Sequence, residues 1–331
     1  MTDPAGNARR VTATAQPNIA LVKYWGKKDI ASNTPAVGSL SVTLADLTTT
    51  TTVVPAAMDR FRLNGAEEPA MAARAFAFAD AMYAAFKTER PALAISTENS
   101  FPTAAGLASS ASGFAALARA FDALAGWQLP LDTLAGWACR GSGSAPRSLV
   151  GGFARLDIGT GSEPVRLRAL AGPQAFPLQV LVAVTSRARK TVGSTAGMEL
   201  TRTTSPFYQD WVRSHPADLD TAEAAVAARD FAALAEVSEH SCLKMHAVMQ
   251  AAQPGLIYWN AATLAAVHEV RSLRAAGTPV FFTIDAGPQL KAICTPEVAD
   301  QVRKTLAAVP GVETVLATGL GDGAALKESS V

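Results

Sequence analysis

The stretch Asn99-Ser-Phe-Pro-Thr-Ala-Ala-Gly-Leu-Ala-Ser-Ser-Ala-Ser-Gly113 decides the fold. Upstream, Leu93 to Thr97 reads as a short β-strand. Downstream, Phe114, Leu117, Ala118, Phe121 and Leu124 recur at helical spacing. The turn between them is built almost wholly of Pro, Gly, Ala and Ser. A strand, a small-residue loop and a helix start together form an anion trap. The first N–H groups of a helix are unpaired, and its N-terminus carries about half a positive charge. Small side chains let a polyphosphate reach the backbone. Ser109, Ser110 and Ser112 are placed to cap the helix, donate to phosphate oxygens or help hold a magnesium ion. An ordinary Ser-capped helix reads the same residues. No Gly-Lys-Ser/Thr follows, so the loop is not a Walker A motif, and the dinucleotide fingerprint G-x-G-x-x-G is absent.

The chain has 331 residues, which favours two domains of ordinary size, and 49% of them are hydrophobic, ample for a buried core. A net charge of +1 gives no reason to expect nucleic acid or an anionic membrane as partner. Cys139, Cys242 and Cys294 lie far apart, and neither their odd number nor their spacing suits a metal site. They read as buried thiols of a reducing compartment, which points to the cytoplasm. His240 and His246 miss the i, i+4 ligand spacing and read as surface or core residues. The start, Met1 to Arg10, is polar and reads as a loose tail without a signal-peptide pattern. The longest apolar runs contain charges or prolines, so no membrane span is expected.

Three more segments carry chemistry. Pro17-Asn-Ile-Ala-Leu-Val-Lys-Tyr-Trp-Gly-Lys-Lys-Asp29 delivers Lys23, Tyr24, Trp25, Lys27 and Lys28 together at the end of an apolar stretch. This is either a solvated basic turn or a cationic wall for an anionic substrate. A helix over 130–140, with Leu131, Leu134 and Trp137 on one side, ends in a second Gly/Ser loop, Arg140-Gly-Ser-Gly-Ser-Ala-Pro-Arg147. Arg147 there is either a surface residue or a bidentate partner for a carboxylate or phosphate. The basic cluster Arg187, Arg189 and Lys190 precedes Val192-Gly-Ser-Thr-Ala-Gly-Met198, where Ser194 and Thr195 can cap another helix.

Strands are expected at Val11–Ala15, Leu40–Leu44 and Thr48–Val54, and a helix over 70–87. From Leu178 the order is strand, helices (217–229, 230–250, 260–276), strand, strand, helix, strand. That is a β-α-β-β-α-β ferredoxin-like split unit with extra helices after its first strand. The boundary is placed near residue 185, giving an N-terminal α+β domain over 1–185 and a C-terminal domain over 186–331. Asp285 ends the apolar strand Val280–Ile284, directly before Ala286-Gly287-Pro288. A charge there needs partners. It is either a turn-forming residue or a catalytic one, since strands opening into loops commonly carry function.

Taken together, these segments resemble the GHMP kinase superfamily and, within it, the diphosphomevalonate decarboxylase family. The resemblance rests on Asn18-Ile-Ala-Leu-Val-Lys-Tyr-Trp-Gly-Lys27, Ser39-Leu-Ser-Val-Thr-Leu44, Phe101-Pro-Thr-Ala-Ala-Gly-Leu-Ala-Ser-Ser-Ala-Ser112, Gly141-Ser-Gly-Ser-Ala145 with Arg147, Gly193-Ser-Thr-Ala-Gly-Met198, and Asp285-Ala-Gly-Pro288. It implies an α+β chain with the GHMP kinase fold, a ribosomal-protein-S5-like N-terminal domain followed by a ferredoxin-like α/β sandwich. It also implies ATP-dependent decarboxylation of mevalonate 5-diphosphate to isopentenyl diphosphate, magnesium dependence and a homodimer. Asp285, Lys23 and Arg147 take the catalytic roles. Tyr24, Trp25, Gly26, Lys27, Ser142, Gly143, Ser144, Ala145, Ser194, Thr195 and Met198 hold the substrate. Pro102, Ala104, Ala105, Gly106, Leu107, Ala108, Ser109 and Ser110 hold ATP, whose phosphates carry the magnesium ion with Ser110. Pro146, Gln289 and Val37-Gly38 depart from the family pattern. The competing readings are a sibling phosphomevalonate decarboxylase or mevalonate 3-kinase, and a non-catalytic nucleotide-binding module.

Overall fold

The computed structural model describes residues 9–101, 109–159, 164–188 and 190–327. The first strands are β1 (Val11–Ala15), β2 (Asn18–Val22), the short pair β3 (Lys27–Asp29) and β4 (Thr34–Pro35), β5 (Ser39–Thr43), β6 (Thr49–Pro55), β7 (Arg60–Leu63) and β8 (Ala66–Glu67). Helix α1 (Pro69–Ala85) leads to β9 (Leu93–Asn99), and α2 (Ser109–Ala125) and α3 (Leu131–Gly141) follow. Strands β10 (Phe153–Ile158) and β11 (Val165–Ala171), absent from the sequence expectations, complete the first half.

Apart from the β3–β4 pair, these strands form two sheets, one ordered β11-β10-β5-β2 and one in which β1, β6, β9, β7 and β8 lie side by side. The five-threonine run has the alternating burial of a half-exposed strand, because successive side chains point to opposite faces. The face of β1, β6 and β9 packs on α1, α2 and α3 through Ala13, Val53, Ile95, Phe78, Met82, Phe114 and Phe121. The 3.6-residue spacing seen downstream of the loop thus marks a true buried stripe, with Leu117, Ala118 and Leu124 on it. In α3, Leu134 and Trp137 face inward while Leu131, 42% exposed, does not.

The second half runs β12 (Gln179–Val184), α4 (Ser194–Thr204), α5 (Tyr208–Ala228), α6 (Phe231–Gln250), α7 (Ala261–Ala275), β13 (Val280–Ile284), β14 (Leu290–Cys294), α8 (Ala299–Ala307), β15 (Thr314–Thr318) and β16 (Ala325–Lys327). Its sheet is fully antiparallel in the order β13-β14-β12-β15, which is the ferredoxin-like arrangement. The apolar run of β12 is buried on both faces. Val180, Val182 and Val184 meet β2, β5 and helices α5 and α6, while Leu181 and Ala183 meet α7 and α8. This inner strand lies ahead of the division expected at residue 185. Strand β16 returns to the first half and pairs antiparallel with β1, so it joins the larger sheet at its edge. Helix α5 begins at Tyr208 and runs through Pro216, nine residues earlier than its expected start.

Phe121 is fully buried, with ring centroids of Phe78 and Tyr83 at 6.1 and 6.3 Å. Truncating it to Ala should destabilise the fold by about 3–5 kcal/mol in urea titration. A loss under about 1 kcal/mol would mean that α2 is not anchored through this stripe.

Candidate active site

Three strand ends meet at one point. β2 delivers Lys23, β13 ends in Asp285, and β14 opens with Leu290-Lys291. The side of α6 carrying Ser241, Cys242 and His246 joins the first two. The Ser241 hydroxyl accepts from the Lys23 backbone N–H at 3.0 Å, and Cys242 Sγ accepts from the Ile284 N–H at 3.1 Å. The Thr283 hydroxyl donates to the Ala20 carbonyl at 3.3 Å across the two sheets. The bend between β13 and β14 is held from outside: Gln289 Oε1 accepts from the Thr185 N–H at 2.7 Å, and the Thr263 hydroxyl donates to the Pro288 carbonyl at 2.6 Å. Gln289, a departure from the family pattern, therefore braces the bend.

Asp285 Oδ1 pairs with the Lys23 ammonium, and Oδ2 lies 3.1 Å from Lys291 Nζ. Both lysines are almost fully buried, while the Asp285 side chain remains 32% exposed. Burial pushes the carboxyl pKa up, but Lys23 and Lys291 more than reverse this and hold it well below the usual carboxylate range. Burial lowers the Lys23 pKa, and Asp285 restores part of the loss.

Arg147 lies in the 3₁₀ turn Ala145–Leu149 that closes the second Gly/Ser loop, and it is buried rather than on the surface. Its Nε donates to Asn18 Oδ1 at 3.1 Å and its Nη1 to the Ser39 hydroxyl at 2.5 Å. Asn18 in turn donates to the Ser144 carbonyl at 3.0 Å and to the Ser148 hydroxyl at 2.8 Å. The guanidinium stands 5.4 Å from the centroid of the Tyr24 ring. Among the described residues Arg147 forms no ion pair with a carboxylate, so its partners are all neutral. A guanidinium buried among neutral partners is chemically suited to an anion. Burial lowers its pKa, and Tyr24 and Asp285 act against that shift. Burial raises the Tyr24 phenol to about 12.

Around this centre lies a rim of hydroxyls and ammonium groups. The Ser110 hydroxyl, in the first turn of α2, is 3.4 Å from that of Ser142, which is 3.2 Å from that of Ser144. Gly143 lets Tyr24 in, since a Cβ there would sit 2.8 Å from its hydroxyl oxygen. Ser194 and Thr195 open α4; their hydroxyls accept from Lys190 Nζ at 2.8 Å and Lys27 Nζ at 3.3 Å. Lys190 Nζ also donates to the Ala286 carbonyl at 3.1 Å, one residue from Asp285. Trp25 and Met198 belong to an apolar cluster with Tyr208, Trp211 and Leu256 that backs the rim. Gly26 has φ +97°, and a Cβ on it would meet the Tyr208 hydroxyl oxygen at 1.9 Å.

The expected nucleotide residues Pro102, Ala104, Ala105, Gly106, Leu107 and Ala108 lie outside the described residues, as does Arg189. Ser112 turns inward, 2.6 Å from the Thr49 hydroxyl, and serves the core rather than a phosphate. Arg187 points away and pairs with Glu313 at 2.9 Å. His246 is buried and His240 exposed. A cavity of about 590 Å³ lined by Phe231, Glu239 and Arg274 shares no residue with this group. Lys291, Asn18, Ser39 and Ser241 were not singled out in the sequence; a polar residue inside an otherwise apolar strand was the available signal for Lys291.

The N-terminal half, residues 15–165, matches the diphosphomevalonate decarboxylase-like N-terminal domain, and residues 180–320 match the mevalonate 5-diphosphate decarboxylase C-terminal domain. A diphosphomevalonate decarboxylase of Aspergillus fumigatus is 36% identical over 332 residues, covering 92% of this chain and 81% of the relative. The chain belongs to the diphosphomevalonate decarboxylase family. Among solved structures, mevalonate diphosphate decarboxylase from Staphylococcus aureus superposes with a TM-score of 0.92 at 35% identity, covering 97% of this chain and 98% of that one. A complex of MDDEF with MVAPP, AMPPCP and magnesium superposes with a TM-score of 0.89 at 35% identity, covering 97% of this chain and 100% of that one. The mixed α+β architecture is the GHMP kinase fold of these decarboxylases.

Asn18 is the hub that holds Arg147 in place in this decarboxylase-family site. Asn18→Ala should leave the guanidinium short of one buried partner and destabilise the protein by about 1–3 kcal/mol in thermal or urea unfolding. An unchanged stability would show that water or another group replaces the amide.

Proposed function

We infer that the chain performs the ATP-dependent decarboxylation for which its family is named, converting mevalonate 5-diphosphate to isopentenyl diphosphate, ADP, phosphate and carbon dioxide. The observation that carries this reading is the meeting of three distant segments: Asp285 pairs with Lys23, and the buried Arg147 lies against the ring of Tyr24, the next residue along. A tertiary hydroxyl is a poor leaving group, so the γ-phosphoryl of ATP is first transferred to it. Asp285, kept ionised, accepts the hydrogen bond of that hydroxyl and aims its oxygen at the phosphorus. Lys23 lies against the reacting oxygens and offsets their charge. Breaking the C–O bond then releases phosphate and leaves an electron-poor carbon. The electrons of the bond to the carboxylate form the new double bond as carbon dioxide departs. Arg147 holds that carboxylate with a charge-assisted donor pair until the bond breaks.

The diphosphate fits the rim of Lys27, Lys190, Ser194 and Thr195 at the start of α4, and the ATP phosphates fit the start of α2 at Ser109 and Ser110. The donor set there is hydroxyl oxygen, the hard ligand type that magnesium prefers. Ser110 would hold the ion together with phosphate oxygens, and the ion would neutralise charge on the transferring group. We also propose that the chain divides between Ala171 and Gln179, because β12 belongs to the later sheet. No helix among the described residues is long and apolar enough to cross a membrane. Three buried free cysteines support a reducing, cytoplasmic setting, and the family resemblance supports a homodimer.

Incubating the protein with ATP and, in turn, mevalonate, its 5-phosphate and its 5-diphosphate tests the reading. Carbon dioxide and phosphate should appear in equal amounts with the diphosphate and fastest with it. Phosphorylation without carbon dioxide would make the chain a 3-kinase, and preference for the monophosphate would make it the sibling decarboxylase. Asp285→Asn should lower kcat by about 10²–10⁴-fold with substrate binding kept; a near-normal rate removes Asp285 from the mechanism. Arg147→Ala should raise the KM for mevalonate 5-diphosphate by about 10- to 100-fold and slow decarboxylation, with ATP affinity unchanged. A fall in ATP affinity instead would place Arg147 against the nucleotide.

A further inference from the structure

Lys291 is a charge in a strand that otherwise reads as core. All five residues of β14, Leu-Lys-Ala-Ile-Cys, are buried, and Lys291 is 1% exposed. Its cross-strand neighbours are Val182 on one side and Thr283 on the other. Ile293, two positions on and therefore on the same face, packs with Val180, Val182 and Phe281. An ammonium placed there either finds a counter-charge or loses its proton. The bend after β13 brings one: Asp285 Oδ2, at 3.1 Å.

The two carboxylate oxygens are thus held separately, Oδ1 by Lys23 from β2 and Oδ2 by Lys291 from β14. With one ammonium on each oxygen the group cannot rotate without breaking a buried ion pair. We infer that Lys291 is a positioning residue of the phosphoryl-transfer step, acting through Asp285 to fix the orientation and the ionised state in which that carboxylate accepts the substrate hydroxyl. The inference rests on the assignment of Asp285 to that hydroxyl.

The other charged and titratable groups facing Asp285 come from four directions. Arg147 faces it from the turn after α3, Lys190 from the segment ahead of α4, Tyr24 from the end of β2, and Cys242 and His246 from α6. Burial holds Tyr24 at about 12, Cys242 at about 11 and His246 at about 3, so these three stay neutral between about pH 5 and 9. They therefore add no charge beside Asp285 in that range. With Lys291 removed, burial is opposed by one lysine instead of two and the carboxyl pKa rises. The ionised form is then lost as pH falls through that higher value.

Lys291→Met and Lys291→Gln, each also combined with Asp285→Asn, test the inference. Single-turnover release of phosphate and carbon dioxide is followed at pH 7, and thermal unfolding checks folding. Expected for Lys291→Met is a kcat about 10- to 100-fold lower at pH 7, with KM values within about twofold. In the Asp285→Asn background the same change should cost less than about threefold, because the group it acts through is already gone. Lys291→Gln gives the same comparison of kcat, KM and the two backgrounds if the Met variant fails to fold. Equal losses in both backgrounds, or a loss confined to KM, overturn the role of Lys291. Absence of carbon dioxide release by the unsubstituted chain would instead fail the proposed function itself.

Discussion

The site depends on a half-exposed carboxylate held between two buried ammonium groups. Lys23, Asp285 and Lys291 come from three strands in two different sheets, and none of the three is tolerable alone in that position. Their mutual compensation ties the end of β2 to the β13–β14 bend, so the same contact that sets up the chemistry joins the two halves of the molecule. Helix α6 reinforces it with neutral groups, since Ser241 and Cys242 take the backbone N–H groups on either side of the pair. Arg147 adds a third buried cation, leaving three against one carboxylate. That imbalance is what a polyanionic substrate with its own carboxylate would correct on entering.

The outer part of the site solves a different problem. Phosphate groups need many donors and a compact approach, and the chain supplies them where helices start. Ser110 in the first turn of α2 and Ser194 and Thr195 in that of α4 place hydroxyls at helix starts, and Lys27 and Lys190 reach those of α4. The Gly/Ser loop before Arg147 joins these regions through the Ser110, Ser142 and Ser144 hydroxyls and then through Asn18. Glycine at 143 and 26 admits the rings of Tyr24 and Tyr208 where a methyl would collide. The apolar cluster of Trp25, Met198 and Trp211 behind the rim gives these flexible polar groups a fixed base.

Much of this is written locally. The strand, loop and helix around Ser109, the apolar run of β12 and the order of elements after it each follow from short-range periodicity. Asp285 is legible because it ends a strand at a turn, and its need for partners follows from burial. The identity of those partners is not local. Lys291 sits in a strand whose pattern resembles core with one polar exception, and only the hairpin register turns that exception toward Asp285. Asn18 is the one polar residue of the buried strand β2 and Ser39 one of three in β5, and their meaning appears only when the Arg147 turn folds over them. Strands β10 and β11 escape a reading by apolar runs because Arg155, Asp157, Arg166 and Arg168 alternate along them; Arg155 and Arg168 pair with Asp157 and with Asp220 and Glu223 of α5. Pro216 suggests a helix start, being well suited to the first turn, yet packing carries α5 through it.

The central claim is geometric: one carboxylate addresses the substrate hydroxyl while one guanidinium addresses the substrate carboxylate. A crystal structure of the protein with mevalonate 5-diphosphate, a non-hydrolysable ATP analogue and magnesium measures this directly. The account predicts the 3-hydroxyl oxygen within hydrogen-bonding distance of Asp285 and the substrate carboxylate on Arg147. A substrate bound with its carboxylate away from Arg147 and its hydroxyl out of reach of Asp285 would contradict it.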